Sequence, residues 1–124
     1  MNTLLAAFVA NACLIMLHEL ESAYLKEWQI LKLPGGITGF VWLHVPILVF
    51  LFWGALEVSR QTVAGSVIAL IAGAGGLAPF IVHKWLLKKP GYFESLSSNL
   101  IIYLNVLAGL ALMATGFIRL LEQT

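Results

Sequence analysis

Charged residues are scarce in this chain. Only 10% of its 124 residues are charged, whereas a soluble domain needs about 25% to cover its surface. Aspartate is absent, and seven basic against six acidic residues leave a net charge of +1, so we expect no nucleic-acid partner. The single cysteine, Cys13, excludes an internal disulfide and a Cys-X-X-Cys redox pair. With 60% apolar residues, the composition predicts an integral membrane protein.

Four apolar segments are long enough to cross the hydrocarbon core, which takes about 20 residues of helix. They predict an all-α fold of one domain, an up-down bundle of four transmembrane helices at about 3–23, 37–56, 62–85 and 98–118. The breaks between them are KLPGG from Lys32, EVSRQ from Glu57 and KKPGYFESLSSN from Lys88. The first segment has no basic start and no small-residue cleavage site, so we expect a retained helix rather than a signal peptide.

Basic residues predict how the bundle is oriented. One side, which we name the lysine-rich end, carries five lysines: Lys26, Lys32, Lys84, Lys88 and Lys89. The other side carries Arg60 and Arg119, and we name it the arginine end. Since cytoplasmic loops are enriched in basic residues, the lysine-rich end is predicted to be cytoplasmic and both termini extracytoplasmic. We expect the membrane to be a bacterial inner membrane.

The histidines fall at one depth of the predicted bundle. His18 and His83 lie near the lysine-rich ends of the first and third helices, and His44 lies seven residues into the second from Ile37. Each should therefore lie about 5–10 Å below the interface. Asn105 on the fourth helix falls in the same layer. Polar groups at this depth are costly and usually face the bundle interior or a wet cavity.

Helical spacing supports the convergence of this layer. One face of the first helix carries Asn11, His18, Glu21 and Ser22, while Glu19 points about 100° away from His18. Small residues on the third and fourth helices predict close helix contacts: Gly65, Ala69, Ala72, Gly76 and Pro79 before His83, and Gly109 and Gly116 after Asn105. Pro46 cannot donate to the carbonyl of Trp42, which loosens the second helix beside His44.

The segments HELESAYLKEW, LHVP and VHKWLLKKPGYFES resemble a family of small bacterial four-helix membrane proteins of unknown function. The positions that carry this resemblance are His18, Glu19, Glu21, Glu27, Trp28, His44, Pro46, His83, Glu94 and Ser97 or Ser98. The chain is also similar to the HXXEE membrane proteins through His18 and Glu21, although Ser22 stands where that motif has its second glutamate. The resemblance implies the four-helix fold and no particular reaction.

The first functional hypothesis is a metal-dependent enzyme that acts on a lipid or another hydrophobic substrate. Three imidazoles and a water suit zinc, and iron is the alternative. The predicted metal ligands are His18, His44 and His83. Candidate catalytic residues are Glu21, as general base or fourth ligand, and Glu19 or Glu27, to orient a histidine. The other members of the polar layer are Asn105, Asn11 and Ser22.

The second hypothesis is a small transporter or channel that works as a homodimer, since four short helices enclose little volume. Small multidrug exporters carry a glutamate deep in the first helix, whereas the residue nearest mid-membrane here is Asn11. Haem ligation by facing histidines is a third reading, disfavoured because the histidines occupy one leaflet. A non-catalytic accessory subunit, whose histidines and acids bond to one another, completes the alternatives.

Overall fold

The computed structural model describes residues 2–124 and consists of helices joined by short connections. In chain order these are α1 (Thr3–Tyr24), α2 (Glu27–Ile30), α3 (Gly36–Ser59), α4 (Val63–Phe80), a π-helical segment (Ile81–Leu86) that continues α4, and α5 (Leu96–Gln123). Within this described part of the chain, four helices are long and apolar enough to cross a membrane: Thr3–Tyr24, Gly36–Ser59, Val63–Leu86 and Leu96–Gln123. The predicted all-α fold with four spans is confirmed, and the protein is an integral membrane protein.

Side-chain caps set where three of these helices begin. Asn2 accepts a hydrogen bond from the amide of Leu5 at 2.7 Å, and Thr62 accepts one from Gly65 at 2.9 Å. Ser95 does the same for Ser98, so α5 begins before the predicted residue 98. Such caps satisfy amides that have no partner within the helix. At its other end α5 continues past the predicted residue 118, where Gln123 accepts a hydrogen bond from Ser66 at 2.8 Å.

Helices α1, α4 and α5 pack closely because glycines face one another or a polar side chain. A Cβ on Gly73 would lie 2.7 Å from the carbonyl oxygen of Gly109, and one on Gly76 would lie 2.2 Å from Oδ1 of Asn11. The small-residue stripe of α4 is buried along its length, as the spacing predicts. These close contacts fix the depth of α4 against its neighbours, and through it the depth of His83.

The apolar core occupies the arginine end of the bundle. Its buried members are Phe8, Leu51, Val58, Ile68, Ala69, Ala72 and Leu112. A Cβ on Gly54 of α3 would lie 2.7 Å from both Phe8 and Ile68, so α3 closes tightly on α1 and α4 at this end. Towards the lysine-rich end the same three helices enclose a cavity, and the buried residues His18, Glu27 and His83 line it.

A buried His/Glu site at the lysine-rich end

Two histidines and one glutamate converge beneath the lysine-rich end of the bundle. His18 of α1, Glu27 of α2 and His83 of the π-helical segment each offer one ligand atom, and these atoms lie within 4.8 Å of one another. Their exposed fractions are 2%, 6% and 4%. A site so deeply buried is shielded from solvent, and its charges interact more strongly than they would in water. We call these three residues the His/Glu triad.

Glu27 joins the triad because the chain turns sharply after α1. Helix α1 ends at Tyr24, and Lys26 adopts a left-handed conformation with φ of 55°. This conformation costs a non-glycine residue about 1–2 kcal/mol. The turn starts the single-turn helix α2, whose Trp28 packs on Phe40 of α3 with ring centroids 5.4 Å apart. Glu27 is thereby carried into the bundle rather than out to the interface.

His83 is placed by a widened helical turn and covered by an aromatic ring. It lies within the π-helical segment that follows Pro79, and such segments are frequent at functional sites. Phe93 stacks on His83 with ring centroids 3.8 Å apart, and its ring centroid is 5.3 Å from that of His18. Phe93 itself is buried at a φ of 55°, and its carbonyl accepts a hydrogen bond from Lys84. The loop before α5 thus seals this side of the triad.

The hydrogen bonds of the triad are incomplete. Nε2 of His83 lies 2.6 Å from Oε1 of Glu27, but the two are not aligned for a hydrogen bond. Nε2 of His18 lies 3.3 Å from the hydroxyl of Ser22, whereas its Nδ1 is buried and has no partner among the described residues. Leaving such an atom unpaired costs about 1–3 kcal/mol. Nδ1 of His18 and Nε2 of His83 therefore have no aligned hydrogen-bond partner that would compete with a ligand.

Glu27 remains a carboxylate despite its burial. Burial alone would raise the pKa of the Glu27 carboxyl, but the close approach of His83 and Ser22 and the nearby imidazole of His18 outweigh that effect. The pKa is therefore held below its ordinary value. A negative charge beside two imidazoles is the electrostatic environment that a divalent cation requires.

His44 and Glu19 form a second pair rather than part of the triad. Nδ1 of His44 donates to the carbonyl of Phe40 at 2.6 Å, and Nε2 lies 2.6 Å from Oε2 of Glu19. Because Nδ1 already carries a proton, the short contact at Nε2 requires a second proton between the ring and the carboxyl group. Both nitrogens of His44 are thus engaged, which sets it apart from His18 and His83.

The triad and the His44–Glu19 pair line the same cavity. It has a volume of about 220 Å³, and α1, α3, α4 and the segment around α2 form its wall. Its polar lining consists of His18, Glu19, Glu27, His44 and His83, and the rest of its lining is apolar. The predicted histidine layer therefore faces one space, although only two of its three histidines belong to the triad.

The remaining polar residues of the predicted layer lie elsewhere. Glu21 accepts a hydrogen bond from the hydroxyl of Ser98 of α5 and does not line the cavity. Asn11 donates to the carbonyl of Ala72 at 2.8 Å, and a Cβ on Gly76 would meet both Asn11 and the backbone of Asn105. The two asparagines thus pack at the junction of α1, α4 and α5, away from the histidines. Ser22, by contrast, contacts Nε2 of His18 through its hydroxyl.

Two features of the site have no clear signal in the sequence. Phe93 is one of two adjacent aromatic residues in a polar loop, and nothing in its spacing predicts that it stacks on His83. The inward turn of Glu27 depends on the left-handed Lys26, a conformation that lysine rarely adopts. A sequence-level hint was the break in apolar periodicity after Tyr24, which places Glu27 outside the first helix.

The chain belongs to the family of unknown function DUF6713, whose model matches residues 4–119. This match confirms the resemblance to a family of unknown function that the histidine and glutamate segments carry. No curated protein and no solved structure matches the chain. The similarity to the HXXEE membrane proteins stays a prediction.

Proposed function

We propose that the protein is a membrane-embedded metalloenzyme that binds one zinc ion through the His/Glu triad and hydrolyses a lipid or another hydrophobic substrate. One observation carries the proposal: three buried ligand atoms lie within 4.8 Å of one another, and a ring nitrogen of His18 has no partner within residues 2–124. Two imidazoles and a glutamate are the protein ligands of a class of catalytic zinc sites that keep one position open. The same donor set binds iron, which is the alternative metal.

The spacing of the triad suits a metal after small side-chain movements. Bonds of about 2.0 Å in a tetrahedral site place ligand atoms about 3.3 Å apart. His83 and Glu27, now 2.6 Å apart, would separate, and the wider pairs would close from within 4.8 Å. Donation from Nε2 of His18 to Ser22 would fix the lone pair on Nδ1, as outer hydrogen bonds do for metal-bound histidines.

The chemistry proposed for this cavity is hydrolysis of an ester or a related bond. A bound zinc ion lowers the pKa of its water to about 7 and polarises the substrate oxygen. In that reaction the oxygen of the water would bond to the carbonyl carbon, the bond from this carbon to the leaving oxygen would break, and the leaving oxygen would take up a proton from a side chain. The proton released by the water would then replace the proton on that side chain. The proton held between His44 and Glu19 lies in the same cavity wall and is placed to be the one transferred.

The first experiment is metal analysis of protein purified in detergent with a tag that contains no histidine. We expect about one zinc per chain by inductively coupled plasma mass spectrometry. His18→Ala, Glu27→Gln and His83→Ala should each lose the metal, because each removes one of three protein ligands. His44→Ala is the matched control and should keep it, since both nitrogens of His44 are engaged elsewhere.

The same measurement contains the outcomes that overturn the proposal. A wild type without metal after resupply with zinc and with ferrous iron would remove the metalloenzyme reading. Metal that is retained in all three triad variants would place the ion elsewhere. Loss of metal in His44→Ala as well, with all variants folded, would favour the three-histidine site that the sequence alone suggests over the triad.

A further inference from the structure

The cavity that holds the triad has an opening between α3 and α4. Its apolar wall includes Ile15 of α1, Leu43 and Ile47 of α3, and Gly75, Ala78 and Val82 on the α4 side. Leu43 is 49% exposed, and Gly75 and Ala78 are also exposed. All three lie within helices that are long and apolar enough to span the membrane, so their exposed surface faces lipid. The opening therefore leads into the bilayer.

Gly75 lacks the packing role of the other glycines in α4. A Cβ at Gly65, Gly73 or Gly76 would lie within 2.7 Å of a neighbouring helix, whereas a Cβ at Gly75 meets only Ile15 at 3.9 Å. A glycine inside a helix costs about 0.5–1 kcal/mol relative to alanine. Helix contact does not account for this cost at Gly75. Because glycine has no side chain, the opening beside Gly75 is not blocked.

The size of the cavity restricts what can react there. Pockets that enclose a whole small molecule have volumes of about 300–1,000 Å³, and this one has about 220 Å³. It therefore accommodates the reacting group and the first part of a chain, while the rest of the substrate stays outside. Gly75 lies eight residues from His83, so the deepest edge of the opening is about 12 Å further into the bilayer than the triad.

Resting on the proposed function, we propose that the substrate is a membrane amphiphile with a single acyl chain leaving between α3 and α4 past Gly75. Its polar group would reach the triad and the His44–Glu19 pair, and its chain would remain in the bilayer. The lining of the cavity matches this arrangement, since its polar side chains lie towards the lysine-rich end, whereas Ile15, Ile47 and Gly75 lie further along their helices towards the middle of the bilayer. A larger groove of about 470 Å³ between α1 and α3 is lined by apolar side chains and offers no group to a polar head.

The test is photo-crosslinking in phosphatidylcholine vesicles with palmitate that carries a diazirine in mid-chain. In the wild type, mass spectrometry should locate crosslinks on Ile15, Ile47 and Val82. Gly75→Phe should reduce them at least tenfold, because the ring would fill the opening. Ala74→Phe is the matched control, since Ala74 is also exposed on α4 but does not line the cavity. In this variant the crosslinks on the three cavity residues should be as abundant as in the wild type.

Metal content measured on the same samples separates the two proposals. Crosslinks at these three residues that persist in Gly75→Phe, in folded protein, would overturn the lateral opening whether or not metal is bound. Crosslinks that are lost only in Gly75→Phe, in protein that binds no metal, would support the opening and remove the metalloenzyme. Should Gly75→Phe fail to fold, Ala78→Phe takes its place, with the same expected loss and the same contrary result.

Discussion

At the scale of single residues, buried polar groups serve two different purposes in this bundle. Asn11 is fully buried, donates to Ala72 and packs against Gly76, so its amide contributes to the contact between α1 and α4. His18 and His83 are buried to a similar extent, yet each has a ring nitrogen without an aligned partner. Burial without partners is costly in a membrane, where no solvent compensates for it. The first arrangement stabilises the fold, whereas the second lowers stability, which is the pattern expected of the metal site proposed above.

Gly76 and Gly75 offer a test of this division at adjacent positions. Gly76→Ala should destabilise the protein by about 1–3 kcal/mol, because its Cβ would overlap Oδ1 of Asn11, 2.2 Å away, and the backbone of Asn105. Gly75→Ala should leave stability unchanged or raise it by up to about 1 kcal/mol, since its Cβ has room. The temperature at which the monodisperse peak is lost in size-exclusion chromatography measures both variants. Equal midpoints for the two would contradict the packing described for Gly76.

At the scale of elements, the interruptions of the helices position the site more than the helices do. The left-handed Lys26 ends α1 and starts α2, and the π-helical segment widens α4 where His83 lies. In a regular helix continued through Lys26, Glu27 would lie about 180° round the helix axis from His18 and close to the face of Tyr24. The triad depends on that interruption, although Lys26 itself is exposed and is not a member of the triad.

Two substitutions at Lys26 should separate backbone conformation from side-chain contacts. Lys26→Gly relieves the left-handed strain, so the variant should bind zinc as the wild type does and gain up to about 1 kcal/mol of stability. Lys26→Val places a β-branched residue in that conformation, which should displace Glu27 and weaken zinc binding about tenfold or more. Competition with a chromophoric chelator measures both affinities. Identical zinc affinity in the two variants would show that the turn does not control Glu27.

The same interruptions mark how far the sequence determines the structure. Apolar length predicts all four spans, and small-residue spacing predicts the buried stripe of α4, because both depend on the regular 3.6-residue period. The depth of the histidines predicts the shared cavity for the same reason. The positions of Glu27 and Phe93 were not predictable, because both depend on a positive φ at a residue other than glycine. Glu27 follows Lys26, which has this conformation, and Phe93 adopts it itself. The separation of His44 from the triad depends on hydrogen bonds to Glu19 and Phe40 that periodicity does not reveal.

At the scale of the whole molecule, the two ends of the bundle differ in packing and in charge. The arginine end holds the apolar core, and its Arg60–Glu57 and Arg119–Glu122 pairs are spaced three residues apart near the surface. Such pairs contribute little to stability. The lysine-rich end holds the cavity that the His/Glu triad lines. In the hydrolysis proposed above, a substrate from the bilayer and water from the adjacent compartment would meet there, and the orientation of the bundle would decide which compartment receives the product.

The predicted orientation can be tested with single cysteines in a Cys13→Ser background. The substitutions are Lys89→Cys and Thr124→Cys, because Lys89 and Thr124 are exposed and lie at opposite ends of the bundle. If the lysine-rich end is cytoplasmic, a membrane-impermeant maleimide should label Thr124→Cys in intact bacterial cells and Lys89→Cys only after the cells are opened. The reverse pattern would place the triad beneath the extracytoplasmic surface. Labelling of both positions in intact cells would mean that the chain inserts in both orientations, and a homodimer of antiparallel chains would then be the arrangement to examine.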